Sequence, residues 1–361
     1  MATTPASSDR IVTKTPRSAF GAQFVGAAGF LNSSTYGLPP TFMFDGLAER
    51  MGEWQSGIMD VPSFDQSVDR GRAAYAELVG VAVDSVTMGG SVSALLGLVA
   101  SAVPDGARVA TLTGEFTSTT FPFAAQAVRG VTVTELPADE LIATATDYDV
   151  VTVSLVQSAT GEVLDVDGLR AAVAGTGTVT VLDATQAVGW KVLDLGWADV
   201  TVAAVYKWLL APRGTAWMSL SDRVSARMTP HLANWYACEQ PWSSIYGLPL
   251  RLASDARRFD TSPAWFGVFG AGLTMPWLAS LDRHDVEAHC LGLATRLRAE
   301  FDLPRVDSAI VSLPFPDAAS AAERMTAAGI RASVRAGAVR VAFHLYNTED
   351  DLQLLLDALA G

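Results

Sequence analysis

Lys207 is the residue whose type and surroundings most clearly suggest covalent chemistry. It is one of three lysines among 25 lysines and arginines, and it lies in the apolar run Val202–Leu210. Apolar surroundings disfavour the charged form of an amine, so its pKa falls and a nucleophilic neutral amine becomes available near neutral pH. Such an amine can form a Schiff base. The alternative is a lysine whose stem crosses apolar neighbours while its ammonium group reaches water.

Asp183, which lies 24 positions before Lys207, is the second candidate for chemistry. It ends the run Val179–Asp183, which is typical of a buried strand. Ligands of open α/β sheets bind outside the carboxyl ends of the strands, so we expect Asp183 to face the ligand crevice. A carboxylate there can keep a pyridine nitrogen protonated and make the ring an electron sink. Alternatively, an aspartate after a strand can simply cap the next helix.

Short apolar runs alternate with helical patterns through the middle of the chain, and these elements must position both residues. Continuous Val, Ile and Leu runs are typical of strands that crossover helices bury on both faces. The pattern therefore predicts an α/β fold with a largely parallel sheet. The predicted strands are Arg108–Leu112, Val131–Glu135, Val150–Leu155, Val179–Leu182, Val200–Val205 and Thr215–Leu220.

Helical patterns occupy most of 43–105 and continue after the strands. We predict a helix over Ser67–Gly80, another over 265–301 and a final one over Asp350–Ala360. Residues 223–260 are rich in Trp, Tyr, Pro and Ser, which favours a long loop. A chain of 361 residues exceeds the size of about 250 to 300 at which single cores stop growing, so we expect two domains.

Charge and composition argue against several classes of partner. The net charge of -13, without a local basic cluster, disfavours nucleic acid, and no apolar run approaches the roughly 18 residues of a membrane span. The first eight residues lack the apolar core of a signal peptide, so we expect a cytoplasmic location. The four histidines show no ligand spacing, and no metal is expected. Cys238 and Cys290 are interpreted as two buried free thiols.

Two segments carry a resemblance to a known family. Asp183–Gly189 and Tyr206–Gly214, at their mutual spacing, resemble the class V aminotransferase and cysteine desulfurase group of fold-type I pyridoxal phosphate enzymes. The likeness runs from about Phe30 to the C-terminus. It implies that Lys207 holds pyridoxal 5'-phosphate as a Schiff base and that Asp183 protonates the ring nitrogen.

The resemblance also implies an architecture and a domain division. The large domain, over 22–248, would carry a mostly parallel seven-stranded sheet in an α/β/α sandwich. A smaller α/β C-terminal domain would cover 249–361, and residues 1–21 would form an N-terminal arm.

Further cofactor contacts follow from the same resemblance. Thr87–Ser93 is similar to the family's phosphate-binding turn, whose helix start and small hydroxyl suit an anion. Phe116 takes the place where the family stacks an aromatic ring on the cofactor, and Ser262 the place that reaches the phosphate of a partner subunit, which implies a homodimer with shared active sites. The cofactor-binding residues implied in full are Gly90, Ser91, Phe116, Asp183, Gln186, Tyr206, Lys207 and Ser262.

Two residues are implied as substrate contacts. Arg340, in Val339–Asp350, corresponds to the arginine that forks onto the substrate's α-carboxylate. Gln157, in Val156–Gly161, corresponds to an amide side chain near the substrate or the ring hydroxyl. Desulfurases need a nucleophilic cysteine on the loop before the arginine, and 329–340 contains none, so persulfide-forming desulfuration is disfavoured.

These residues favour a pyridoxal phosphate enzyme that acts on an amino acid, with transamination as the expected reaction. An alternative is a carbon–sulfur β-lyase acting on a cysteine conjugate, similar to hercynylcysteine sulfoxide lyases, because residues 235–266 are rich in aromatic side chains that suit a bulky substrate. A non-enzyme alternative is an inactive binding protein with the same fold. Motifs of nicotinamide dehydrogenases, P-loop NTPases and serine hydrolases are missing from the sequence.

Overall fold

A computed structural model describes residues 15–360, so the predicted N-terminal arm over 1–21 lies largely outside the described residues. The first described elements are an antiparallel pair of strands, β1 (Arg17–Ala19) and β2 (Ala22–Phe24). The central sheet then has seven strands in the order β3-β9-β8-β7-β6-β4-β5, and only β9 runs antiparallel to its neighbours. This confirms the predicted mostly parallel sheet. Its strands are β3 (Val86–Gly89), β4 (Arg108–Leu112), β5 (Thr132–Leu136), β6 (Val150–Ser154), β7 (Val179–Asp183), β8 (Val200–Ala204) and β9 (Ala216–Leu220).

Both faces of the central sheet are covered. Neighbouring residues of one strand, such as Val150 and Val151, belong to different hydrophobic clusters, because successive side chains of a strand point to opposite faces. All residues of β6, β8 and β9 are buried, as their largely apolar sequences predict. The helices of this part are α1 (Thr41–Gln55), α2 (Phe64–Val79), α3 (Val92–Ala102), α4 (Thr117–Ala124), α5 (Ala138–Ala143), α6 (Val166–Val173) and α7 (Asp222–Ser225).

The C-terminal part has a small antiparallel sheet with its own core. Its strands β10 (Ile310–Leu313), β11 (Ser333–Arg335) and β12 (Ala338–Ala342) are arranged as β10-β12-β11, and β10 and β12 contribute to a separate hydrophobic cluster. The smaller C-terminal unit of the predicted fold class is therefore present, while the division at 248/249 stays a prediction. The remaining helices of the described chain are α8 (Trp265–Ser280), which packs against α2, and then α9 (Arg283–Glu300), α10 (Ala318–Ala327) and α11 (Glu349–Ala360).

Besides β1 and β2, which the sequence did not predict, two elements differ from the sequence prediction. The single helix predicted over 265–301 is two helices, because Asp282 accepts hydrogen bonds from the amides of His284 and Asp285 and so caps the start of α9. Strand β3 was not predicted, since its four residues lie within a stretch of mostly helical pattern. All four of its residues are buried against β9 at the edge of the sheet.

Candidate active site

Lys207 lies just beyond the carboxyl end of β8, in a cleft of the protein. It is 6% exposed, and its Nζ lies 5.4 Å from the ring centre of Phe116 and 5.8 Å from that of Tyr206. Burial lowers the pKa of Lys207 to about 8, and the nearby Asp183 carboxylate opposes this shift. The buried amine inferred from the sequence is therefore present.

Asp183 ends β7, the strand beside β8, and lines the same cleft. Its Oδ1 accepts the amide of Thr185 at 2.8 Å, and its Oδ2 accepts the hydroxyl of Thr119 at 3.3 Å. Burial raises the pKa of Asp183, while these hydrogen bonds and the charge of Lys207 lower it. The strand register thus brings an acid and an amine together at one edge of the sheet.

An anion-binding turn lies on the wall of this cleft. Ser91 caps α3, and its hydroxyl accepts the amide of Ala94 at 3.2 Å. Gly90 and Ser91 both line the cleft, where the N-terminal amides of the 11-residue helix favour a negative charge.

Arg213 adds a positive charge next to this turn. The backbone of the next residue, Gly214, lies against the turn, because a Cβ built on Gly90 would lie 4.0 Å from the Gly214 carbonyl oxygen. Arg213 and Gly214 both line the cleft. The Arg213 guanidinium lies 5.2 Å from the ring centre of Tyr206 and, within residues 15–360, forms no ion pair with a carboxylate. Helix amides, hydroxyls and an arginine together suit a phosphate group.

Phe116 and Gln186 also line the cleft, but in different ways. The side chain of Phe116 is 45% exposed, so it is available to a planar ring and is not a core residue. The Gln186 amide donates to the Ser34 carbonyl at 2.9 Å and to the Ser158 hydroxyl at 3.1 Å. Its Oε1 accepts Trp208 Nε1 at 2.7 Å, so each polar atom of the side chain already has a partner.

Arg340 is a buried cation without a carboxylate among the described residues. It is 2% exposed and donates to the Thr35 hydroxyl at 2.7 Å, to the Ser158 carbonyl at 2.5 Å and to the Ser333 hydroxyl at 3.2 Å. Burial and the charge of Arg335 lower its pKa to about 10. A buried charge is costly unless paired, so this guanidinium is suited to an incoming carboxylate. Through Ser158, which contacts both Arg340 and Gln186, it connects to the cleft wall.

Three predicted residues lie outside the cleft lining, namely Arg340, which reaches the wall through Ser158, and two others, Gln157 and Ser262. Gln157 donates to the Gly114 carbonyl at 2.8 Å and accepts the Thr160 amide at 3.1 Å, so its side chain holds the turn after β6. Ser262 is exposed on the segment before α8. Cys238 and Cys290 are buried free thiols, as interpreted from the sequence, and neither lines the cleft.

Neighbouring segments fix the chain around Lys207. The amide of Gly37 donates to the Tyr206 carbonyl at 2.9 Å. His344 accepts the Leu345 amide at Nδ1, so its Nε2 carries the proton donated to the Trp208 carbonyl at 3.0 Å. Burial lowers the pKa of His344 to about 3, which keeps this side chain neutral.

Sequence reasoning missed several residues of the cleft and its walls. Arg213 could have been predicted as a site residue, because it belongs to the segment Tyr206–Gly214 that carries the family resemblance. Ser158 is next to Gln157, but only the structure shows which of the two faces the cleft. His344 belongs to the quoted segment Val339–Asp350, whereas Thr35 carries no distinguishing pattern in the sequence.

The fold and site together define a fold-type I pyridoxal phosphate enzyme. The sequence model of the Aminotransferase class-V family matches residues 63–308, and the chain belongs to this family. Pyridoxal 5'-phosphate is thereby confirmed as the cofactor, and the cleft fits it: a buried amine, a buried carboxylate and an anion-binding turn share one cavity.

Individual relatives agree with this membership. The chain is 22% identical over 338 residues to an uncharacterized aminotransferase of Bacillus subtilis strain 168, YcbU, with 88% of each chain covered. A cysteine desulfurase from Thermococcus onnurineus NA1 superposes with a TM-score of 0.79 at 18% identity, covering 92% of this chain and 94% of that one. The cystine C-S lyase C-DES, solved with its product cysteine persulfide, gives 0.80 at 18% identity, covering 92% and 97%.

No helix within residues 15–360 is long and apolar enough to cross a membrane. Nor do three or more His, Cys, Asp or Glu side chains of this range gather where they could hold a metal ion.

Proposed function

We propose that Lys207 holds pyridoxal 5'-phosphate covalently and that Asp183 keeps the ring nitrogen protonated. The observation that carries this proposal is the pairing of a buried amine of lowered pKa with a buried carboxylate in one cleft. Gly90, Ser91 and Tyr206 would hold the phosphate, and Phe116 would stack on the ring. Arg213, beside Gly90, would add a charge to the phosphate site.

The substrate in this proposal is an amino acid whose α-carboxylate binds Arg340. When bound, the cofactor withdraws electrons from the substrate's α-carbon so that a bond to this carbon can break. Arg340 would exchange neutral contacts with Thr35 and Ser158 for a charge-assisted pair with the carboxylate. This pair would orient the α-hydrogen, and Lys207 Nζ, neutral above its pKa, would remove the proton.

We propose transamination as the reaction, because it needs only a proton carrier beyond the cofactor. Lys207 can take the proton at the α-carbon and return it at the cofactor's carbon. Neither a thiol nor a second carboxylic acid lines the described cleft to assist a leaving group. The alternative, a carbon–sulfur β-lyase, is supported by the likeness to the cystine C-S lyase C-DES and by the aromatic side chains of 235–266.

A single-turnover assay distinguishes the two reactions. The holoenzyme is mixed with an amino acid or a cysteine conjugate, without a keto-acid acceptor, and the products are counted per active site. Transamination gives one keto acid per site, a matching amount of pyridoxamine phosphate and no ammonia. Continuous release of pyruvate and ammonia would overturn the aminotransferase assignment in favour of the lyase.

Three remaining roles complete the proposal. Gln157 and Gln186 would contact the substrate and the ring oxygen, which requires each amide to exchange a present hydrogen bond. The exposed Ser262 would reach the phosphate of a second copy in a homodimer with shared active sites. Exposed apolar side chains on 242–250 support such an interface, and they are Trp242, Ile245, Tyr246, Leu248 and Leu250. Light scattering that gives twice the mass of 38.0 kDa would support the dimer, and a monomer would contradict it.

A further inference from the structure

The hairpin of β11 and β12 places a second arginine on the same face as Arg340. In the antiparallel register, Ser333 lies opposite Arg340, and their side chains hydrogen-bond at 3.2 Å. Arg335 is two residues beyond Ser333, so its side chain leaves the strand on that same face. Diagonal neighbours of this kind lie about 7–8 Å apart, a distance that long side chains span.

Arg335 is exposed and has little to bind within the described chain. Its Nη1 donates to the carbonyl of its neighbour Val334 at 2.8 Å, and it forms no ion pair with any carboxylate of residues 15–360. The positive charge of Arg335 repels the charged forms of Lys207 and Arg340 and so, after burial, contributes to the lowered pKa of each. An arginine that repels two functional cations lacks a compensating anion.

The other cations of the site already have anions in the proposed function. Arg340 would bind the α-carboxylate, and Arg213 lies beside the phosphate turn at Gly90. The chain has 38 acidic residues against 25 lysines and arginines, so carboxylates to neutralise Arg335 are abundant in the sequence. None of the carboxylates of residues 15–360 forms an ion pair with Arg335.

We propose that the substrate is an amino acid with a second anionic group in its side chain and that Arg335 binds this group. This inference rests on the proposed function, because it assumes that Arg340 holds the α-carboxylate. Arg335 then acts as a specificity-determining residue that prefers a side-chain carboxylate, sulfonate or phosphate over a neutral group of the same shape.

The test is a spectral titration of the holoenzyme with isosteric pairs, L-glutamate against L-glutamine and L-aspartate against L-asparagine. We expect at least one acid to bind about tenfold more tightly than its amide, as one charge-assisted contact in a partly solvated site provides. In Arg335→Gln the preference should fall to near unity while affinity for the amide is kept. Arg305→Gln, which removes the same charge from the largely exposed side chain of Arg305, should keep the preference.

A second readout avoids turnover altogether. Glutarate and succinate, which have no amino group to react, should raise the melting temperature of the holoenzyme more than butyrate does, and Arg335→Gln should remove the difference. Equal affinity for acids and amides in the unmodified enzyme would overturn the inference and leave the proposed function intact. Equal weakening of acids and amides in Arg335→Gln would assign Arg335 to the α-carboxylate and also overturn it. Failure to respond to any amino acid would contradict the proposed function itself.

Discussion

Asp260 is a buried acceptor that anchors the strand leading into the phosphate turn, and we predict that Asp260→Ala strongly destabilises the protein. Asp260 is 1% exposed and accepts Arg72 Nη2 at 2.6 Å, the Thr87 hydroxyl at 2.9 Å and the Met88 amide at 2.8 Å. Thr87 and Met88 belong to β3, which ends one residue before Gly90. Loss of these bonds should therefore reach the cofactor site.

The expected magnitude follows from what the substitution leaves behind. Arg72 is 5% exposed, and without Asp260 its guanidinium remains buried opposite no carboxylate among the described residues. Removing one partner of a buried ion pair typically costs about 3–5 kcal/mol. A matched exposed pair supplies the control, because Asp105, which pairs with Arg129, is 81% exposed, and Asp105→Ala should cost about 0–1 kcal/mol.

Equilibrium urea unfolding of both apoprotein variants, followed by far-ultraviolet circular dichroism, measures the two costs. Replacing both members of the buried pair, as in Arg72→Met/Asp260→Leu, should recover much of the loss, because no unpaired charge remains. The Asp260→Ala apoprotein should also bind pyridoxal phosphate more weakly than the unmodified apoprotein does. A cost for Asp260→Ala no larger than that of Asp105→Ala would refute the reasoning.

Three further predictions concern the cleft. Gly37→Ala should abolish cofactor binding with little change in secondary structure, because the new Cβ would lie well inside van der Waals contact of the Lys207 carbonyl; normal cofactor content in the purified variant would contradict this. Recombination of the apoprotein with pyridoxal phosphate, followed by visible absorbance, should accelerate with a midpoint near pH 8, because the reactive neutral amine of Lys207 predominates above its lowered pKa. A midpoint near the ordinary lysine value of about 10.4 would exclude that shift. Arg340→Leu should raise KM for amino acids on the order of a hundredfold, without rescue by Arg340→Lys, because lysine cannot fork onto a carboxylate; steady-state kinetics with an unchanged KM would show that the carboxylate binds elsewhere.

The sequence predicted the central architecture and the main chemical groups, because both depend on local patterns. Apolar runs marked six of the seven central strands, and β7 and β8 bring Asp183 and Lys207 to one edge as parallel neighbours must. The edge strand β3 was not predicted, because its four residues do not form an apolar run. The break between α8 and α9 was not predicted, because only one capping aspartate, Asp282, interrupts the continuous helical pattern.

The direction of individual side chains and the register of the strands could not be predicted from the sequence. Gln157 and Ser158 are adjacent, and backbone conformation alone decides that Ser158 lines the cleft while Gln157 holds a turn. Arg335 has the same sequence character as any exposed strand arginine. It gains meaning only when the register places it on one face with Arg340.

Covalent attachment of the cofactor to Lys207 can be tested by chemical reduction of the holoenzyme followed by mass spectrometry. The holoenzyme is treated with borohydride and digested, and the peptide that carries the added cofactor mass is sequenced. We expect this peptide to contain Lys207. The variant Lys207→Ala should lose the visible band, and Lys191→Ala should keep it because Lys191 pairs with Glu287 at 3.1 Å. Cofactor mass on Lys191, or a visible band that persists in Lys207→Ala, would contradict the account.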